Sequence, residues 1–107
     1  RVIRGGRMRE KFPHGRRPKH MRRKKIVNKN YQQIAEERAV KSFVNCEVLN
    51  SYFVAKDGNH YWYEVILVDK AHPAILADKR ISWIAEKQHT RRVFRGLTST
   101  GRKSKIK

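Results

Sequence analysis

Two runs of β-branched and aromatic residues, separated by a short polar segment, constrain this chain more than any other feature. The first reads Cys46-Glu47-Val48-Leu49-Asn50-Ser51-Tyr52-Phe53-Val54-Ala55 and the second His60-Tyr61-Trp62-Tyr63-Glu64-Val65-Ile66-Leu67-Val68-Asp69, with Lys56-Asp57-Gly58-Asn59 between them. Such side chains fit a pleated surface, and Asp-Gly favours a reversal because glycine accepts positive φ. The pattern predicts a β-hairpin. Residues 61–68 have almost no polar break, which places the second strand centrally in a sheet and buried on both faces, whereas Asn50 and Ser51 leave the first more wettable. A lone hairpin is marginal in water, so other elements must cover it.

The cover is legible upstream. Val27, Tyr31, Ile34, Ala35, Ala39 and Phe43 recur at spacings of three and four, while Lys29, Gln32, Gln33, Glu36, Glu37, Arg38 and Lys41 fill the opposite side. That periodicity predicts an amphipathic helix of about three to four turns, packed on the sheet by its apolar stripe. Asn28 or Asn30 can cap it and Asn45 can end it. Downstream, Pro73 followed by Ala74, Ile75, Leu76 and Ala77 predicts one or two helical turns, and Ile81-Ser82-Trp83-Ile84 reads as a short third strand or a loop packed by Trp83.

Charge divides the chain into three. Its 107 residues hold 27 Lys and Arg against 9 Asp and Glu, a net charge of +18. Residues 1–25 carry 12 basic and 1 acidic side chain, residues 26–86 carry 7 and 8, and residues 87–107 carry 8 and 0. A near-neutral core thus bears two basic arms. Glycines and prolines break up the first arm, and Gly96, Thr98, Ser99, Thr100 and Gly101 interrupt the second. Neither shows the period needed to bury a core. The expected architecture is α+β: a small antiparallel sheet built on the hairpin, packed by an amphipathic helix, with an extended arm at 1–25, a globular core at 26–86 and an extended arm at 87–107.

Folding does not require so much positive charge, and self-repulsion opposes compaction, so the excess points to a polyanion. The expected contacts are Arg1, Arg4, Arg7, Arg9, Arg16, Arg17, Arg22, Arg23, Lys24 and Lys25 in the first arm, and Arg91, Arg92, Arg95, Arg102, Lys103 and Lys105 in the second. Arginine predominates in the first, and its planar fork both pairs with phosphate oxygens and stacks on bases. Long arms suit the crevices of folded RNA better than a smooth DNA groove. The helix carries Glu36 and Glu37 on its polar side, unlike a lipid-facing basic helix, and no apolar run approaches the roughly 18 residues of a membrane span.

Chemistry is thinly represented. Cys46, the single cysteine, reads as a small strand hydrophobe, and His14 and His20 have no cysteine near them with which to hold zinc. No metal or cofactor site is expected. The alternative to RNA binding is a metal-dependent nuclease acting through Glu64, Asp69 and His72, which requires that these three converge at the exit of the central strand.

Six stretches also resemble a known family in the same order. They are Arg1-Val2-Ile3-Arg4-Gly5-Gly6-Arg7, Ala35-Glu36-Glu37-Arg38-Ala39, Val48-Leu49-Asn50-Ser51-Tyr52-Phe53-Val54, Tyr63-Glu64-Val65-Ile66-Leu67-Val68-Asp69, His72-Pro73-Ala74-Ile75 and Arg95-Gly96-Leu97-Thr98-Ser99-Thr100-Gly101-Arg102-Lys103-Ser104. Together they are similar to the archaeal and eukaryotic L15e family of large-subunit ribosomal proteins. The departures are Phe53 in place of Trp, Thr100 in place of Ala, and an altered link over 78–88. The family has a segment before Arg1 and a basic tail after Lys107, and the chain opens on Arg1 without an initiator Met, so the resemblance makes it the family's central part. It implies a structural constituent of the cytoplasmic ribosome that binds large-subunit ribosomal RNA beside neighbouring ribosomal proteins. No cofactor, small-molecule substrate or catalysis is implied. The RNA-facing pieces would fall on residues 1–7 and 95–104.

Overall fold

A computed structural model describes residues 1–6, 8–9, 14–16, 18–20 and 24–105. The hairpin forms as expected. Strand β2 (Cys46–Lys56) pairs antiparallel with β3 (His60–Asp69), from Cys46 opposite Asp69 to Lys56 opposite Tyr61, with register shifts at Val48/Asn50 and Phe53/Ala55. Its turn is closed by Asp57, whose Oδ1 accepts the backbone N–H groups of Asn59 and His60, each at 2.7 Å.

β3 is central, in the order β1-β3-β2, but the third strand is β1 (Val2–Ile3), pairing Val2 with Tyr61. The expected strand at 81–84 is instead a 3-10 turn, Ser82–Ala85. Two apolar residues among cations are too few to show a period, yet Val2 is 2% exposed, so the start of the expected arm is part of the sheet. The burial of β3 on both faces is also corrected. Ile66 is 45% exposed, and Tyr52, Phe53 and Val54 of β2 lie in the open, because helical cover reaches only one side of a three-stranded sheet.

Helix α1 (Tyr31–Lys41) is capped by Asn30, whose Oδ1 accepts the Gln33 N–H at 2.9 Å, and it ends at Ser42. It is shorter than its stripe suggests: Val27 and Phe43 lie outside it and are half exposed, and Val40 is the residue it buries deepest among its hydrophobics along with Ala35. The supposedly solvated side is the larger correction, since Gln33 and Glu36 are both buried, Glu36 completely. A short helix α2 (Pro73–Ala77) forms where expected, and a third, α3 (Ser99–Ser104), forms where an extended arm was expected.

The core explains that last difference. Val40 of α1 and Val48 of β2 meet Val93, which is fully buried, with Val65, Leu67 and Phe94 packed around them. Residues 87–105 are therefore not an extended arm. Val93, Leu97 and Thr98 give this segment enough buried surface to fold against the core despite its charge.

Candidate nucleic-acid interface

Glu36 is the pivot that fixes the C-terminal segment. Its carboxylate accepts the Ser51 hydroxyl at 2.5 Å and the Thr98 hydroxyl at 2.8 Å, joining α1, β2 and the C-terminal segment at one buried point. Gln32 Nε2 donates to Ser51 Oγ at 2.9 Å and to the Ser51 carbonyl at 3.1 Å. A buried carboxylate is tolerated only when its oxygens are satisfied, and both are satisfied here. Thr98 in turn caps α3, accepting from the Gly101 N–H at 3.3 Å, while Thr100 Oγ1 donates to Asn30 Oδ1 at 2.9 Å. The N-terminus of α1 and all of α3 are thereby clamped together.

Glycine makes the clamp close. A Cβ on Gly101 would stand 2.7 Å from the Gly96 Cα, and Gly96 itself adopts φ +69°. At 101 a larger side chain would have to move backbone, and at 96 the left-handed φ disfavours any other residue.

Two more buried charges brace the segment. Arg92 is 8% exposed, donates to the carbonyls of Val48, Leu49 and Leu97, and lies 5.2 Å from the Trp83 ring centroid. Burial first, and then the nearby Arg102 charge, lowers its pKa from the usual arginine value. Glu47, 3% exposed, accepts the Arg91 N–H at 3.0 Å and lies 3.4 Å from Lys70 Nζ. That contact holds Arg91 in a left-handed conformation, φ 54°, rare for a non-glycine residue.

The cations stand on this frame. Arg91, Arg95, Arg102, Lys103 and Lys105 are exposed, with Arg95 also donating to the Gln88 and Thr90 carbonyls at 2.5 and 3.1 Å. Arg92 is the exception among the expected contacts: its guanidinium is spent inside the protein. At the other end Arg1, Arg4, Arg16, Lys24 and Lys25 are exposed and Arg9 is partly covered. Arg7, Arg17, Arg22 and Arg23 lie outside the described residues. That segment is held by β1, by the Arg4 N–H donating to the Asn59 carbonyl at 2.7 Å, and by the Gly5 N–H donating to the Tyr31 hydroxyl at 3.1 Å.

The candidate catalytic trio does not assemble. Glu64 is exposed in mid-strand opposite Tyr52, and five strand residues, roughly 17 Å, separate it from Asp69. Asp69 accepts the Ala71 N–H and His72 accepts the Ala74 N–H as the cap of α2, so both do local turn work. Among the described residues no three His, Cys, Asp or Glu side chains group as metal ligands, and His14 and His20 are exposed.

Glu36, Glu47, Ser51 and Thr98 escaped the sequence reading. Acids on a helix's charged side look solvated, and only the Thr98 to Gly101 spacing, typical of a helix cap, hints that residues 99–104 are ordered.

A small α+β frame, clamped by buried polar groups and bearing exposed cations at both ends, defines the chain as a basic α+β protein. Similarity sharpens that class. The family model described as Ribosomal L15 matches residues 1–106, and the chain belongs to that family. It is 56% identical over 104 residues to a protein of Thermoplasma volcanium named large ribosomal subunit protein eL15, covering 96% of this chain and 53% of that one. The proteins of the same name from Picrophilus torridus and Methanocella arvoryzae are 52% identical over 106 residues and 49% over 105, covering 98% and 97% of this chain and 54% of each relative. The chain thus spans about half the length of these relatives.

Proposed function

We propose that the chain binds and braces folded large-subunit ribosomal RNA as a structural constituent of the large ribosomal subunit, in the cytoplasm and among other ribosomal proteins. The observation that carries this is the state of its cations. Among the described residues, only Lys29 and Lys70 of the lysines and arginines lie within ion-pair distance of a carboxylate, Glu37 and Glu47 respectively. The exposed cations among the remainder, Arg92 being spent inside the protein, are left for an external polyanion, and the relatives' name says which assembly supplies it.

Two modes of contact follow from the two ends. The C-terminal segment presents its charges already fixed in space, so little ordering entropy is lost when it docks. The N-terminal segment is tied by β1 and by the Met8–Lys24 bridge, and its exposed cations Arg1, Arg4, Arg16, Lys24 and Lys25 are open to phosphates. Release of condensed counterions then supplies much of the affinity. The alternative of a nuclease acting through Glu64, Asp69 and His72 finds no support, because Asp69 and His72 serve local turns apart from Glu64.

A salt series on a folded ribosomal RNA fragment tests the proposal. The logarithm of the binding constant should fall linearly with log salt, and replacing Arg1, Arg4 and Arg7 with Gln should flatten the slope by roughly two to three units. Replacing Lys56, Lys70 and Lys79 should change it less, since Lys70 already faces Glu47. Equal slopes for the two triple variants would overturn the reading.

A further inference from the structure

Beside the clamp lies a cleft of about 380 Å³, between the start of α1 and the loop and helix at 94–105. Its lining includes Lys29, Gln33, Phe94, Arg95 and Lys105 and contains no carboxylate. Gln33 is 94% buried, being 6% exposed, and its Oε1 has no hydrogen-bond partner. A buried amide oxygen without a partner is costly and calls for a reason. We infer that the cleft is a pocket for a single unpaired nucleotide of the bound RNA, with Gln33 meeting the base edge, Phe94 offering the part of its ring left open by the core and by the Arg91 guanidinium 5.0 Å from its centroid, and Arg95 and Lys105 meeting the flanking phosphates.

Each part of the cleft fits that occupant. The volume lies at the low end of the roughly 300–1,000 Å³ of small-molecule sites, enough for one nucleotide and too small for a base pair with its backbones. Arg95 and Lys105, with no described carboxylate within ion-pair distance, favour an anion, whereas Lys29 is held by Glu37 at 2.9 Å. Phosphate alone would not need an aromatic ring or an amide, and those two groups are how unstacked bases are held. The carboxamide pairs a donor with an acceptor, and rotating it about its last bond exchanges the two, so one side chain can match a base edge that presents both. The glycine pair 96 and 101 leaves bare backbone on one wall, and any Cβ at 101 would push the wall out of place. The cleft also borders the clamp, since Gly101 is the α3 residue tied to Thr98 and thus to Glu36.

This inference rests on the RNA-binding proposal, and its test separates the two. The whole chain, labelled with nitrogen-15, is titrated with the four nucleoside monophosphates, with ribose 5-phosphate and with inorganic phosphate, while amide resonances are followed by NMR. At least one monophosphate should produce saturable shifts at Gly96, Gly101 and the Gln33 side-chain amide, at concentrations roughly tenfold below those needed for ribose 5-phosphate. Phe94→Leu keeps an apolar side chain and removes the ring, and should weaken that monophosphate roughly five- to a hundredfold, the range of a lost base stack. Gln33→Leu should erase preference among the four bases. Thermal melting of both variants shows whether they remain folded, and the wild-type titration stands alone if either does not. Equal potency of ribose 5-phosphate or phosphate, or no saturable shift at these amides, would overturn the pocket. If the chain still binds folded RNA with a steep salt slope in that event, the pocket alone falls; if binding and slope are absent too, the RNA reading falls with it.

Discussion

Residues 1–25 and 87–107 are both basic, with twelve cations and one acid in the first against eight cations and none in the second, yet they meet the core differently. The first adds two residues to the edge of the sheet, and its described residues 14–16 and 18–20 are all exposed. The second puts Val93 into the hydrophobic core and Thr98 onto a buried carboxylate. Charge density therefore does not decide whether a basic segment packs on the core. A few groups that fit a prepared site decide it, because burying one aliphatic side chain is worth roughly 1.5–3 kcal/mol and repulsion among exposed, salt-screened cations costs less.

The comparison breaks most directly by deletion. Removing residues 88–107 strips the core of Val93, opens Glu36 and withdraws Arg92 from three carbonyls, so the remainder should give a random-coil circular dichroism spectrum. Removing residues 1–25 should leave a folded protein with a lower melting point, since Val2 is the one strongly buried side chain it loses among the described residues. A cooperative melt from the first deletion would show that the C-terminal segment is merely docked.

Next in size is the clamp itself. Glu36→Ala leaves the Ser51 and Thr98 hydroxyls without their acceptor in a buried setting and should cost roughly 2–4 kcal/mol by denaturant titration. Lys103→Ala, on the exposed side of α3, should change stability by less than about 0.5 kcal/mol. Comparable effects would mean that the clamp is not what orders the segment.

A smaller effect separates order from charge. Replacing Arg1, Arg4 and Arg16 with Gln, or Arg91, Arg102 and Lys103, should flatten the salt dependence of RNA binding by a similar two to three units or so, because the slope counts phosphates neutralised and not the order of the cations. Hydrogen exchange should differ. The α3 amides should be protected in the free protein, while those of residues 14–16, 19 and 20 should gain protection only with RNA. Fast exchange in free α3 would contradict a preformed platform.

The smallest effect lies at the hairpin turn, remote from both segments. The Asn59 and His60 N–H groups hold the Asp57 carboxylate below its usual pKa, in that order of influence. A depressed folded-state pKa contributes stability above the unfolded value that is lost as pH falls through the folded one. The turn amides should therefore shift at a midpoint more acidic than that of an ordinary aspartate, and Asp57→Ala should remove the step while leaving the α3 resonances in place. A midpoint at the ordinary value would show that the turn does not hold the carboxylate.

Much of the fold was open to a reading of residues in line. The hairpin, its turn, the central position of β3 and the existence of α1 and α2 each rest on local periodicity, and a period of two or near 3.6 is visible without knowing what lies across from it. The division of charge was visible for the same reason: it is a count. Only the tertiary structure could show that Val2 completes the sheet, that Arg92 faces inward while its neighbours Arg91 and Arg95 face out, and that Glu36 on a charged helix face is wholly buried. Those outcomes depend on partners far away in sequence, with Thr98 standing 62 residues from Glu36 and Val48 standing 44 from Arg92. A side chain's own chemistry says what it would cost to bury; whether a hydroxyl or carbonyl arrives to offset that cost is known only once the chain has closed on itself.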